Sequence, residues 1–416
     1  MNETDSAKPK KRSGWIGFFS ACLLLLLIAL PIGFYWWHSD ADLVDIRNKA
    51  TANNIPVTWA EFGLKKSEPD RIARWKRIVT LTSKLPTYQS LGIPSNPKCV
   101  LFSPIPKEMS EHHATLDELT WTEFLNELDL LGDQPLHFHD TYSYSTMQPE
   151  FIGYKEIVRR LQERIALATP TEVARLCTIQ LALCRSFPVT NVVVHQFRTS
   201  MISIALNSLT RHLYFLKSSH SRLADAVSRT TFSLPNDYIN CLIGEFQYGL
   251  ILCKQRAVPG GDNINWYFPL TLRLGRHEFL SQQIDLVSNM RDQGLADNLA
   301  WEYKRITSFE AKYKGFLTPE LLLSDYLLIN YAYTLKMTYE TQLHGRLIAA
   351  ELSSQPWPQD IFDPTGAPLR PVLRDGKIIG AYSVGSNGID DGGDKKLDRY
   401  FPLYGPLELP VAPTTP

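Results

Sequence analysis

The chain lacks an excess of charge of either sign: 43 basic residues stand against 43 acidic ones, a formal net charge of zero. A protein that neutralises phosphates needs a basic surplus, so the balance argues against a nucleic-acid partner. Cysteine is scarce as well. Six in 416 residues are too few to frame a disulfide scaffold. Cys22 falls in an apolar N-terminal run, leaving Cys99, Cys177, Cys184, Cys241 and Cys253, an odd number whose pairing stays open. Cys177 and Cys184 share a face of a helical pattern and are read as buried thiols acting as small hydrophobes.

The usual catalytic signatures are missing too. His277-Glu278 opens like a zinc-protease helix, but Ser281 stands where the second histidine belongs, so no two imidazoles share a helical face. Gly260-Gly261 is not followed by Gly-Lys-Ser or Gly-Lys-Thr, which excludes a phosphate loop of that type, and no Gly-x-Ser-x-Gly elbow occurs. One enzymatic alternative is left. In His137-Phe138-His139-Asp140 an extended backbone projects both imidazoles to one side, where they can share a divalent ion, with His112 and His113 in the same region. The sequence therefore points away from an enzyme without excluding one.

The first feature that is present is a run without charge from Ser13 to Trp37, centred on Cys22-Leu23-Leu24-Leu25-Leu26-Leu27-Ile28. As a helix, Trp15 to Trp37 rises about 34 Å, enough to cross a hydrocarbon core of about 30 Å. Lys8, Lys10, Lys11 and Arg12 precede it and Asp40, Asp42 and Asp45 follow. That asymmetry predicts a single-pass anchor in the cell membrane, with a cytoplasmic N-terminus and the bulk of the chain outside. A cleaved signal peptide would need a small-x-small site after the run; Phe34, Tyr35, Trp36 and Trp37 stand there instead.

Beyond the anchor the pattern is helical. Pro69 opens a helix to Lys84, and Thr169-Pro170-Thr171-Glu172 starts another, because proline is welcome in a first turn and threonine caps its free amides. Helical spacing also predicts helices over Leu116 to Leu131, Phe151 to Leu167, Val192 to Leu216, Tyr238 to Cys253, Phe279 to Met290 and Asp297 to Lys314. The last and longest runs from Pro319 to Ser353, apolar all round at first and then narrowing to a ladder at Leu335, Tyr339, Leu343 and Leu347. The expected fold is mainly α: a transmembrane helix, an extracytoplasmic multi-helix domain and a small C-terminal β-hairpin. By residue, this gives a cytoplasmic basic N-terminus (1–14), the anchor (15–37), and membrane-proximal helices with a proline-rich irregular segment (38–110). An α-helical domain (111–357), a hairpin with an acidic glycine-rich loop (358–398) and a proline-rich tail (399–416) complete it.

That hairpin region carries the most distinctive residues. Asp363-Pro364-Thr365-Gly366 is a turn, Lys377-Ile378-Ile379 a β run, and Gly385 to Asp394 an acidic, glycine-rich loop. Hard cations such as calcium want several oxygens on a sharply turning backbone. Asp390, Asp391 and Asp394 offer charge, Ser386 and Asn387 neutral oxygens, and the glycines permit the turning. The pattern Asp-Pro-Thr-Gly-x-Pro-Leu, then Tyr-Ser-x-Gly-x-Asn-Gly-x-Asp-Asp-Gly-Gly, resembles the C-terminal hairpin and calcium loop of the type II secretion major pseudopilins. The resemblance implies a structural calcium ion held by Asp390, Asp391 and Asp394 with help from carbonyls around Ser386. It covers Asp363 to Asp394 only. Pseudopilins carry a glutamate five places into the mature helix, whereas Gly17-Phe18 here is followed at that place by Cys22. The wider arrangement is similar to uncharacterised bacterial single-pass membrane-anchored proteins that share this ending. The leading expectation is a membrane-anchored binding or scaffold protein with an unknown protein partner. The alternatives are a pseudopilin-related envelope assembly component and a metal-dependent enzyme using His137 and His139.

Overall fold

The computed structural model describes residues 43–85, 118–139, 148–165, 168–216, 221–254, 280–281, 283–291, 319–394 and 397–404. The apolar run 15–37 lies outside them, as does 297–314. Among the described residues no helix is long and apolar enough to cross a membrane.

The architecture is mainly helical with one small antiparallel sheet near the C-terminus. The helices, in chain order, are α1 (43–52), α2 (Pro69–Lys84), α3 (Glu118–Leu131), α4 (Gln148–Ile165), α5 (Pro170–Ser186), α6 (Val192–Thr210) and α7 (Leu213–Leu216). Then come α8 (Ser221–Phe232), α9 (Leu234–Lys254), α10 (283–291) and α11 (Pro319–Ser353). Local chemistry sets several starts. Proline occupies the first turn of α2 and of α5, the Thr169 side chain accepts from the Glu172 amide, and the Asn191 side chain accepts from the Val194 amide at 2.9 Å. The predicted Val192 to Leu216 helix is in fact two. At its middle the His212 amide bonds back three residues to Leu209, tightening the chain out of α geometry before α7 begins.

Helix α8 has no counterpart in the sequence reading. Its buried residues are Leu223, Ala224, Ala226, Val227, Thr230 and Thr231, a mostly small face at clear helical spacing opposite Arg222, Asp225 and Arg229. That smallness is what lets α8 pack closely on α11, its main partner. A Cβ placed on Gly345 of α11 would come within 2.2 Å of the Thr231 side chain. Helix α6 packs on the other side of α11, α5 spans α6 and α8, and α4 covers α5. The ladder Leu335, Tyr339, Leu343 and Leu347 is buried, but Thr334, Thr338, Thr341, Gln342, His344 and Ala349 are buried as well. The lower half of α11 is therefore enclosed on more than the one stripe expected.

The sheet holds β1 (Arg370–Arg374), β2 (Lys377–Ser383) and β3 (Arg399–Pro402) in the order β1-β2-β3. The hairpin is thus completed by a third strand, which falls where a proline-rich tail was expected. Asp375-Gly376, both at positive φ, makes the tight turn between β1 and β2. Phe362, Leu369, Ala381, Val384, Phe401 and Leu403 join the same apolar core as the helices.

Candidate functional site at the C-terminal sheet

Four aspartates and one arginine organise this end of the molecule. Asp360 is buried; one of its oxygens accepts from the Phe362 amide (3.0 Å) and the Ser383 hydroxyl (2.8 Å), the other from the Val384 amide (2.9 Å). Asp363 begins the Asp-Pro-Thr-Gly turn as expected: its side chain accepts from the amide and hydroxyl of Thr365 at 2.8 and 2.6 Å, and Gly366 closes the turn at φ 70°. Those bonds, with one from Arg370, hold the Asp363 carboxyl down to about 2. Arg370 is the hub. Its Nη2 meets Asp363 at 2.7 Å, its Nε meets Asp390 at 2.8 Å, and its Nη1 lies 3.8 Å from Asp360. Directly across the ladder, Tyr382 lies beneath the guanidinium, 6.0 Å from ring centre, and its hydroxyl donates to Asp390 at 3.2 Å.

The acidic loop is built from the same kind of internal bond. Gly385–Asn387 forms a 3₁₀ turn that includes Ser386, and Gly388 leaves it in the left-handed region. Asn387 donates to Asp391 at 2.9 Å and accepts from the Ile389 amide. Asp398, buried, accepts from the Gly393 amide at 2.6 Å and from the Asp391 amide at 3.4 Å, drawing the loop closed, while the Asp394 carbonyl accepts from the Leu397 and Asp398 amides. Two of the three candidate carboxylates are engaged by protein groups. Asp390 is turned to Arg370 and Tyr382 and Asp391 to Asn387, and among the described residues no three His, Cys, Asp or Glu side chains are grouped to hold a metal.

The histidine alternative falls partly outside the described residues, which do not include His112, His113 or Asp140. His137 is tied into the chain by its backbone, donating to the Ser67 hydroxyl at 2.9 Å and accepting from the Ser67 amide at 2.8 Å. Burial and the nearby Arg71 lower its ring below the usual histidine value. His139 follows it in irregular chain, not in a strand.

Sequence reasoning passed over a polar row buried between helices. His195 on α6 meets Thr338 of α11 at 2.8 Å. The Thr338 hydroxyl gives its proton to the Thr334 carbonyl, so it accepts from His195, whose Nε2 carries the hydrogen. Its Nδ1 has no hydrogen-bond partner among the described residues. Burial, with Arg198 adding a smaller push, lowers this ring to about 3. Arg198 pairs with Asp237 at 3.0 Å, and Gln196 donates to Thr334. Each of these residues lies inside a helical run with no local motif, so only their meeting marks them. Cys177, Cys184 and Cys241 are free and buried, and burial pushes the first two thiols up to about 12, which leaves them protonated and inert.

A third contact set joins α11 to β3. Glu340 meets Arg399 at 3.1 Å and Lys336 at 3.8 Å, His344 donates through Nε2 to the Pro402 carbonyl at 3.3 Å, and Glu351 accepts from Tyr404 and Trp357. The His344 ring stacks on Phe401, with centroids 5.5 Å apart. Eleven residues of helix from Glu340 to Glu351 rise about 16 Å, and five strand-like steps from Arg399 to Tyr404 span about 16 Å. Matching lengths put the two segments in register, running the same way. Comparison of the chain with family models, with curated proteins and with solved structures returns no match.

Proposed function

We propose that the chain is a single-pass protein of the bacterial envelope, with its N-terminus in the cytoplasm and its helical part outside as a binding or scaffolding module. The observation that carries this reading is the uncharged run Ser13 to Trp37 between Lys8, Lys10, Lys11, Arg12 and Asp40, Asp42, Asp45. Protease access to the C-terminus in intact cells stripped of their outer membrane is the test. Cleavage is expected, and a protected C-terminus overturns the orientation. The residues shared with the pseudopilin hairpin support a second reading, a component of a related envelope assembly. Mass spectrometry of the mature chain separates the two, since a start at Phe18 favours assembly into a fibre.

Calcium belongs to this reading as an optional structural ion that takes the loop carboxylates from their protein partners. An ion present at ten times its Kd adds about 1.4 kcal/mol to the folded state. A thermal melt of the full chain in millimolar calcium against chelator is then expected to rise by about 2 °C, and the rise to vanish in Asp390→Ala. Equal melts in both conditions remove calcium from the reading.

A further inference from the structure

We propose that the seam between α11 and β3 is an acid-sensitive latch, in which protonation of His344 releases the closing strand from the long helix while the helical body stays folded. The geometry behind it is a titratable ring held at an interface. His344 is buried under Phe401 and Pro402, and β3 is a strand of four residues whose pairing partner on its other side is β2. When β3 is seated the ring is cut off from water, and burial lowers it to about 4. When β3 lifts, the ring is solvated and recovers an ordinary histidine affinity for protons. Protons therefore bind the open form more tightly and must shift the equilibrium toward it as pH falls below about 6.5.

The charged groups around the ring do not cancel this. From β3 the nearest charge is Arg399, and on its own helix Glu340 lies one turn away and Lys336, paired with Glu340, two turns away; at this level α8 offers the uncharged Thr231, against Gly345. Glu340 on its own acts in the opposite sense, because burial raises its carboxyl and makes the seated form the better proton acceptor there. Once neutral, however, it no longer offsets Arg399, and an imidazolium there meets that cation uncompensated. Glu351, the next carboxylate along the seam, lies about 10 Å further up the helix and is engaged by Trp357 and Tyr404. His195, the other buried ring among the described residues, lies between α6 and α11, so its protonation acts on the helical body and not on the seam. The inference stands on the seam alone and does not require the membrane placement.

Hydrogen exchange of the full chain from pH 7.5 to 4.0, normalised at each pH to the chemical exchange rate, tests it. Residues 397–404 are expected to lose at least tenfold of their protection at a pH where residues 223–231 of α8 keep theirs. In His344→Gln, which keeps a donor for the Pro402 carbonyl and takes up no proton, that early loss should disappear. In Glu340→Gln it should persist. Simultaneous loss in both segments of the wild-type chain overturns the latch, as does an unchanged profile in His344→Gln. If His344→Gln fails to fold, the wild-type comparison of the two segments decides alone.

Discussion

Gln180 is fully buried on α5 and, among the described residues, neither its amide nitrogen nor its carbonyl oxygen has a hydrogen-bond partner. A buried polar group without partners costs about 1–3 kcal/mol. Replacing it by a side chain of similar volume that needs no partner, Gln180→Leu, is expected to stabilise the fold by ~1 kcal/mol, read as a higher urea midpoint at unchanged m-value. An unchanged or lower midpoint would mean that Gln180 is satisfied in solution. Asp360 shows the opposite case. Its three donors were invisible in sequence, because Ser383 and Val384 reach it only after the strand has folded back. The turn at Asp363 was legible, since Asp-Pro-Thr-Gly needs no partner beyond itself. The intended role of the loop aspartates was not: Asp390 meets an arginine twenty positions earlier, and nothing in a glycine-rich acidic run says whether a cation or a guanidinium will neutralise it.

At the scale of elements, close approach is what the packing depends on. A Cβ on Gly244 of α9 would stand 1.8 Å from the Thr190 carbonyl oxygen, just before α6. Backbone cannot swing aside as a side chain can, so Gly244→Ala must push α9 away from the start of α6. The expected loss is ~3 kcal/mol, measured by denaturant unfolding; a cost within a few tenths would show that the helices slide freely. The same physics explains which helices the sequence revealed. Helices α2 and α5 announce themselves through proline and, in α5, a threonine cap; α11 does so through proline at its start and its length. Helix α8 was legible too, in Leu223, Ala224, Val227 and Thr231 recurring opposite Arg222, Asp225 and Arg229, and was passed over; what no local pattern gives is that its small face meets Gly345 of α11.

Among the described residues two histidines are held neutral by near-complete burial, and both weaken the fold in acid. His195 and His344 hold folded values of about 3 and 4, below the ordinary 6.5, with burial the main cause in both. The unfolded chain binds protons at these sites before the folded one does. Their contribution is therefore complete above pH 6.5 and drains away as pH falls, for His344 by on the order of 3 kcal/mol at pH 4. Asp363, held low by Thr365 and Arg370, adds a loss only below its ordinary 3.8. Urea midpoints should accordingly begin to fall between pH 6.5 and 5, and the double variant His195→Gln, His344→Gln should fall much less over that range, His137 and His212 leaving a residual slope. A wild-type midpoint constant down to pH 5 would contradict the buried, neutral state of both rings.

The sequence by itself determined the helical class, the start of several helices and the Asp363 turn, since each rests on contacts within a few residues. It also set out the uncharged run from Ser13 to Trp37 and the absence of familiar catalytic motifs. Tertiary structure alone decided that a third strand lies beyond the acidic loop, that Arg370 gathers the aspartates around it, and that His195 and His344 are buried. Those outcomes depend on partners far apart in the chain, 143 positions for His195 and Thr338 and 58 for His344 and Pro402. The free energy of such a pair depends on what else excludes water around it, which no local pattern records.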